Sequence, residues 1–203
     1  MKIICVGRNY AAHARELNNK VEEQPVIFMK PETALIAPRQ PFFYPDFSSD
    51  VHHEVEIVIR INKVGKRIAE KFAHKYYDEI TVGIDFTARD IQQQLKSKGL
   101  PWELAKGFDG SAPVGNFISK KKFENIQDVP FSLKVNGTVK QSANTSTMIF
   151  TADHIISFVS HYVTLKKGDI IFTGTPEGVG PVHKGDLLEA FIGDEKLLNV
   201  KIR

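Results

Sequence analysis

An α+β, mainly β fold follows from two features of the sequence. Short β-branched runs punctuated by proline and glycine recur along most of the chain, whereas helical periodicity is confined to a few brief segments. The strand–helix–strand alternation of a doubly wound sheet is absent. At 203 residues the chain is long enough to bury one substantial core, and it reads as a single domain over residues 1–203.

Lys2 to Val6 form the first strand. It carries Cys5, the sole cysteine, which excludes an internal disulfide and, set in the apolar IICVG, reads as a buried structural thiol. GRNYAAHARELNN turns from loop into a short helix ended by Asn18 and Asn19. PVIFMKPETALIAP is strand-like, with prolines at 25, 31 and 38, and PFFYPDFSSD is a loop leading to the run VHHEVEIVIRI. Ile68, Ala69, Phe72, Ala73 and Tyr76 follow helical spacing. EITVGID is a strand running into the helix FTARDIQQQLKSKG, for which Thr87 and Asp90 are expected to form a T-x-x-D capping box and Gly99 the stop. Asn136-Gly137 marks a hairpin in FSLKVNGTVKQ. Thr151 caps a helix expected to bury Ile155, Ile156, Phe158, Val159, Tyr162 and Val163, and GDIIFTGTPEGVG and DLLEAFIGDEKLLNVKIR return to strands.

Hydrophobic residues make up 42% and charged residues 25%, proportions of an ordinary soluble globular protein. A net charge of +3 without a dense basic tract argues against a nucleic-acid partner. No apolar segment approaches bilayer length, and the opening apolar run is too short for a secretory signal. The expectation is a cytoplasmic protein with no membrane partner.

Within VHHEVEIVIRI, residues i and i+2 point the same way, which makes Glu54 and Glu56 neighbours. Like charges at that separation repel and call for protonation or a cation. Two readings fit this segment alone: solvated glutamates on a sheet edge, or ligands of a metal. Asp85, at the end of a strand, adds a third carboxylate, and an all-oxygen set suits a hard cation such as Mg²⁺. His52 shares the glutamates' face and, as a fourth ligand, would tilt the site towards Mn²⁺ or Zn²⁺, while His53 points the other way.

In GRNYAAHARE, His13 and Glu16 are spaced i, i+3 and face one side of a helix. A carboxylate beside an imidazole orients it and raises its basicity, as a general base for water requires; an exposed surface pair is the other reading. Arg89 and Gln92 share a helix face just beyond Asp85, and Lys106 follows a Pro-Trp loop; each is a ligand contact or a solvated side chain. TGTPEGVGPV (173–182) lacks the G-K-[S/T] ending of a phosphate loop. It is either a run of turns or a loop whose Thr175 hydroxyl and backbone N–H groups bind a carboxylate.

Taken in order, GRNYAAHARE, FMKPETALI, HHEVEIVI, GIDFTARDIQ, LPWELAKGFDG, LKVNGTVKQ and GDIIFTGTPEGVGPV resemble the fumarylacetoacetate hydrolase (FAH) family over nearly the whole chain. TARDIQ with KGLPWELAK, and the His-Glu helix, are similar to the FAH domain-containing acylpyruvate hydrolase/oxaloacetate decarboxylase type. The resemblance implies an FAH-type mixed β-roll with few short helices, a lid helix within residues 1–20, and a homodimer. It implies Glu54, Glu56 and Asp85 as ligands of Mg²⁺, for which Mn²⁺ substitutes, and leaves His52 a neighbour. It further implies His13, Glu16 and Lys106 as catalytic groups, with Arg89, Gln92, Thr175 and Lys30 holding a small 2-oxo-acid substrate. The implied reactions are hydrolysis of the carbon–carbon bond of acylpyruvates such as acetylpyruvate or fumarylpyruvate, and/or decarboxylation of oxaloacetate through a metal-bound pyruvate enolate. The alternative is an isomerase or tautomerase of 2-hydroxy diene dicarboxylates (the 2-hydroxyhepta-2,4-diene-1,7-dioate isomerase type) or of oxaloacetate. Completeness of the residue set disfavours a non-catalytic 2-oxo-acid binder.

Overall fold

Val55, Ile57, Ile59 and Ile61 alternate along one strand with Glu56, Val58 and Arg60, and all but Arg60 are buried. A strand covered on both faces belongs in the middle of a sheet, and the computed structural model, which describes residues 1–16, 22–36 and 40–203, puts it there. The expected helix stop at Asn18 and Asn19 and the break at Pro38 lie outside the described residues.

The strands are β1 (Ile3–Gly7), β2 (Val26–Lys30), β3 (Val51–His53), β4 (Val55–Ile61), β5 (Tyr77–Ile84), β6 (Thr87–Ala88), β7 (Ile118–Ser119), β8 (Pro130–Val135), β9 (Thr138–Asn144), β10 (Ile170–Phe172), β11 (Gly180–Pro181), β12 (Leu187–Ile192) and β13 (Glu195–Lys201). The helices are α1 (Ala11–Glu16), α2 (Glu70–Ala73), α3 (Arg89–Ser97), α4 (Glu103–Lys106) and α5 (Ala152–Tyr162). Short helices among many strands give the α+β, mainly β architecture that the sequence predicts.

A six-stranded mixed sheet runs β2-β1-β10-β4-β5-β7, parallel only between β1 and β10. Alternation along β1 sends Ile4 and Val6 into the main core and Ile3 and Cys5 into a smaller one on the other face. Burial, then the charge of Asp85, raises the Cys5 thiol well above its usual range, so it packs as an apolar group. A four-stranded sheet, β13-β12-β8-β9, faces the main core, and its β8–β9 hairpin turns at Asn136 (φ 52°) and Gly137 (φ 79°), both left-handed as a type I′ turn requires. The three-stranded β11-β3-β6 joins residues just before the acidic strand to residues just after Asp85.

Three local expectations are corrected. Thr87 and Asp90 form no capping box: Thr87 is a strand residue, Ala88 holds the N-cap position, and α3 has no side-chain cap bond there. The Asp90 carboxylate instead accepts from Ser48 Oγ (2.7 Å) and Ser49 N (3.0 Å), tying the preceding loop to the start of α3. Helical spacing over residues 68–76 yields only the single turn α2, because β5 begins at Tyr77. Tyr162 is 69% exposed rather than buried, whereas Ile155, Ile156 and Val159 fill the core below α5. The Thr151 cap stands, with its hydroxyl accepting from His154 N at 3.1 Å. Gly99 (φ 65°) ends α3 with a bond from Leu100 N to Leu95 O. Among the described residues no helix is long and apolar enough to cross a membrane.

Candidate active site

Glu54 occupies the one-residue break between β3 and β4, Glu56 follows on β4, and Asp85 leaves the end of β5. Antiparallel pairing of Val55 with Ile84 sets Glu54 opposite Asp85, and Asp85 N donates to Glu54 O at 2.8 Å. Register therefore delivers three buried carboxylates to one point, each with an oxygen within 4.8 Å of the others.

Cations and N–H groups surround them. Lys106 Nζ, carried by α4 and buried, lies 2.9 Å from Glu54 Oε2, 2.7 Å from Asp85 Oδ2 and 2.6 Å from Thr87 Oγ1. Arg89 Nη2 donates to Glu54 Oε1 (2.5 Å) and Nη1 to Gln92 Oε1 (2.6 Å), while Arg89 Nε is buried without a hydrogen-bond partner among the described residues. Gly174 N donates to Glu56 Oε2 at 2.6 Å. Gly174 adopts φ 103°, and a Cβ there would sit 2.6 Å from Asn9 Cβ, so only glycine brings this N–H to the carboxylate. Lys30 stands behind the site rather than on its wall. Its amine bonds to the carbonyls of Phe86, Lys106 and Ser111 and to the Ser111 hydroxyl, with Asp85 Oδ1 2.8 Å away as an ion pair.

The two glutamates differ in character. Burial pulls the Glu54 carboxyl up, but Lys106, Arg89 and His13 outweigh it and hold it well below the usual carboxylate range. Burial and then the Asp85 charge push Glu56 well above that range, against the Gly174 N–H bond. Three buried carboxylates whose oxygens lie within 4.8 Å of one another make an all-oxygen donor set, which fits a hard divalent cation. His52 bonds to Asp50 (2.9 Å) and His53 to Gln141 (3.0 Å), so neither joins the cluster.

The carboxylates form the floor of a cleft with about 420 Å³ of unfilled space, part of it open to solvent. His13, Arg89, Gln92, Lys106 and Thr175 line it, together with Arg8, Phe28, Lys96 and Trp102, which the sequence reading did not single out. His13 Nδ1 lies 3.1 Å from Glu16 Oε2, and Glu16 Oε1 accepts from Gly178 N at 3.1 Å, which joins α1 to the glycine-rich loop. The Thr175 hydroxyl donates to Val55 O at 2.8 Å.

Two supporting residues also escaped the sequence reading. Asn9 spans Thr173 O (2.7 Å), Phe150 O (2.9 Å) and Phe150 N (2.7 Å), holding the glycine-rich loop against β1's exit. Gln141 Oε1 accepts from Val55 N (3.0 Å) and meets His53 Nδ1, while its Nε2 donates to Thr175 Oγ1 (2.9 Å) and Pro176 O (3.0 Å). Both lie far along the chain from the groups they hold, and their sequence neighbours, Arg8 and Tyr10 for Asn9 and Lys140 and Ser142 for Gln141, give no sign of burial. Gln141→Leu should leave the Val55 N–H and the His53 ring unsatisfied in the core and destabilise the fold by about 2–4 kcal/mol. Urea unfolding with an unchanged slope measures this, and a loss below about 1 kcal/mol would mean that water replaces the amide.

Residues 2–202 match the family described as fumarylacetoacetate (FAA) hydrolase C-terminal. The chain belongs to this family. It is 43% identical over 201 residues to the oxaloacetate tautomerase FAHD1, mitochondrial, of Mus musculus, covering 99% of this chain and 91% of that one. It is 44% identical over 192 residues to the mitochondrial oxaloacetate decarboxylase of Dictyostelium discoideum, covering 94% and 88%. The solved fumarylpyruvate hydrolase of Pseudomonas aeruginosa, in complex with Mn²⁺ and pyruvate, superposes with a TM-score of 0.93 at 35% identity, covering all of this chain and 89% of that one. As a fumarylacetoacetate hydrolase family member the chain is an enzyme, and its carboxylate triad is a candidate metal centre.

Proposed function

We propose that this enzyme hydrolyses the carbon–carbon bond of acylpyruvates and decarboxylates oxaloacetate, with Glu54, Glu56 and Asp85 holding Mg²⁺ or Mn²⁺. The observation that carries this reading is the convergence of the buried triad, the Lys106 ammonium and the His13–Glu16 pair on one cleft. When bound, the divalent ion supplies Lewis-acid stabilisation of negative charge developing on a 2-oxo acid.

The chain's own groups do the rest. Arg89, whose Nε has no partner among the described residues, and Gln92 hold the substrate carboxylate. Glu16 occupies His13 Nδ1, so Nε2 is the ring nitrogen left to take a proton from water. That water attacks the distal acyl carbonyl, the bond breaks, and the electron pair left on pyruvate is matched by Lys106. Loss of CO₂ from oxaloacetate leaves the same enolate and needs no attacking water. Lys30 acts from behind, fixing Asp85 and the α4 carbonyl of Lys106. Tautomerisation of oxaloacetate is a second reading, favoured by the name of the 43% identical mouse relative; it needs only a proton moved between carbon and oxygen.

The deciding experiment follows ultraviolet loss of acetylpyruvate by chelator-treated protein before and after Mg²⁺ is added. Turnover that appears only with Mg²⁺ supports the hydrolase; no turnover with metal present sinks it and moves the weight to oxaloacetate. We further place the protein in the cytoplasm as a homodimer, a pairing supported by Phe43, 70% exposed, beside Phe47 and Phe108 in an aromatic surface groove. Sedimentation equilibrium measures that assembly.

A further inference from the structure

A lysine ammonium has three N–H donors and accepts nothing. On Lys106 all three are engaged, by Glu54 Oε2 at 2.9 Å, Asp85 Oδ2 at 2.7 Å and Thr87 Oγ1 at 2.6 Å. Two of these partners belong to the carboxylate triad. The third, Thr87, is uncharged and has no part in the chemistry proposed above. It is fully buried in β6, paired with His52 of β3, and its branched Cβ restricts χ1. Its hydroxyl lies 3.3 Å from Asp85 O. A carbonyl only accepts, so the hydroxyl proton is directed there and a lone pair is left facing Lys106. Thr87 is therefore a fixed acceptor behind the ammonium. Ahead of it, Lys106 Nζ lies 5.2 Å from the centroid of the Phe28 ring, which lines the cleft. An anionic oxygen that forms in the cleft must take one of the three N–H bonds from a partner already in place. Of those partners Thr87 is the nearest, and it alone brings no negative charge to compete with the new anion. Keeping that bond holds the nitrogen in position while a donor turns away from a carboxylate.

We propose that Thr87 is a positioning residue for Lys106, its hydroxyl anchoring the ammonium as one N–H turns from the carboxylates to the charge developing on the substrate. Without that hydroxyl the ammonium settles onto Glu54 and Asp85. The enolate then loses its donor, whereas the 2-oxo acid in its ground state loses little. This inference rests on the enolate reading above and adds a residue to it.

Three variants test it. Thr87→Val keeps the shape and Thr87→Ala leaves space, but both remove the acceptor; Thr87→Ser retains it. The first two should lower kcat for oxaloacetate about tenfold and change KM less than about twofold, the pattern of an interaction made only in the transition state. Calorimetry in the presence of Mg²⁺ supplies a readout independent of turnover, comparing pyruvate with oxalate, a dianion that reproduces the charge of the enolate. The wild type should prefer oxalate. Thr87→Val and Thr87→Ala should each cut that preference about tenfold, the scale of one charge-assisted contact, and Thr87→Ser should keep it. A merely structural role would lower the fraction of protein that binds and leave the preference alone. A preference intact in both Thr87→Val and Thr87→Ala, or lost equally in Thr87→Ser, overturns the role of Thr87 while the enolate reading stands. No preference for oxalate in the wild type overturns the enolate reading and the proposal with it.

Discussion

Replacing Lys106 with methionine should cut turnover of acetylpyruvate and of oxaloacetate by about 10²–10³-fold and, without metal, lower stability by about 3–5 kcal/mol. Both effects come from one ammonium group. It touches Glu54, Asp85 and Thr87 in a buried site, so its removal takes away the cation that the two carboxylates share and leaves Glu54 to Arg89 and Asp85 to Lys30. In a chain of this size such a loss lowers the melting temperature by about 10 °C. The pH dependence has a definite sign. Glu54 is held well below its unfolded range, and the stability this contributes is fully present above about pH 4.3 and fades as pH falls through the lower folded value. The gap between wild type and variant should therefore be widest near neutral pH and narrow in acid. Added Mg²⁺ should restore much of the stability by supplying a replacement cation. It should not restore turnover if the ammonium matches enolate charge. Thermal unfolding and steady-state rates, each with and without Mg²⁺, separate the two effects; variant turnover near the wild-type rate would remove Lys106 from the chemistry.

The sequence revealed those parts of this arrangement that leave a local mark. Paired glutamates in a β-branched run are conspicuous because a strand interior has no cheap place for two charges. Asn136-Gly137, Gly99 and Thr151 were legible because turn and cap geometry depends on the residue itself. Thr87 misled because Thr and Asp at capping spacing are also what a strand exit beside a buried lysine uses, and only the fold decides between them. Asn9 and Gln141 were invisible for a different reason. Their partners lie more than a hundred residues away for Asn9 and up to eighty-eight for Gln141, and no periodicity encodes which distant backbone a buried amide will meet. Arg8 and Lys96 look like solvated cations until register and helix phase aim them at the same cleft. The resemblance carried the site roles; the residues alone left the metal and the dyad open.

His13→Ala should separate the two proposed reactions. Hydrolysis needs a base for water, and its loss should lower acylpyruvate turnover by about 10²–10⁴-fold. Decarboxylation releases CO₂ without attacking water, so oxaloacetate should still be consumed by the same preparation. Glu16→Gln refines the assignment, because glutamine can still accept from Gly178 N and keep α1 tethered to the glycine-rich loop, yet it cannot balance an imidazolium. If orientation of α1 is what matters, Glu16→Gln stays close to wild type; if the charge matters, it follows His13→Ala. Full hydrolysis by His13→Ala would dismiss the dyad. An equal fall in both reactions would place the imidazole at a step they share, protonation of the enolate, and would shift the reading towards the tautomerase named among its relatives. Because the triad and Lys106 are common to every one of these outcomes, the pattern across the two substrates carries more than either rate alone.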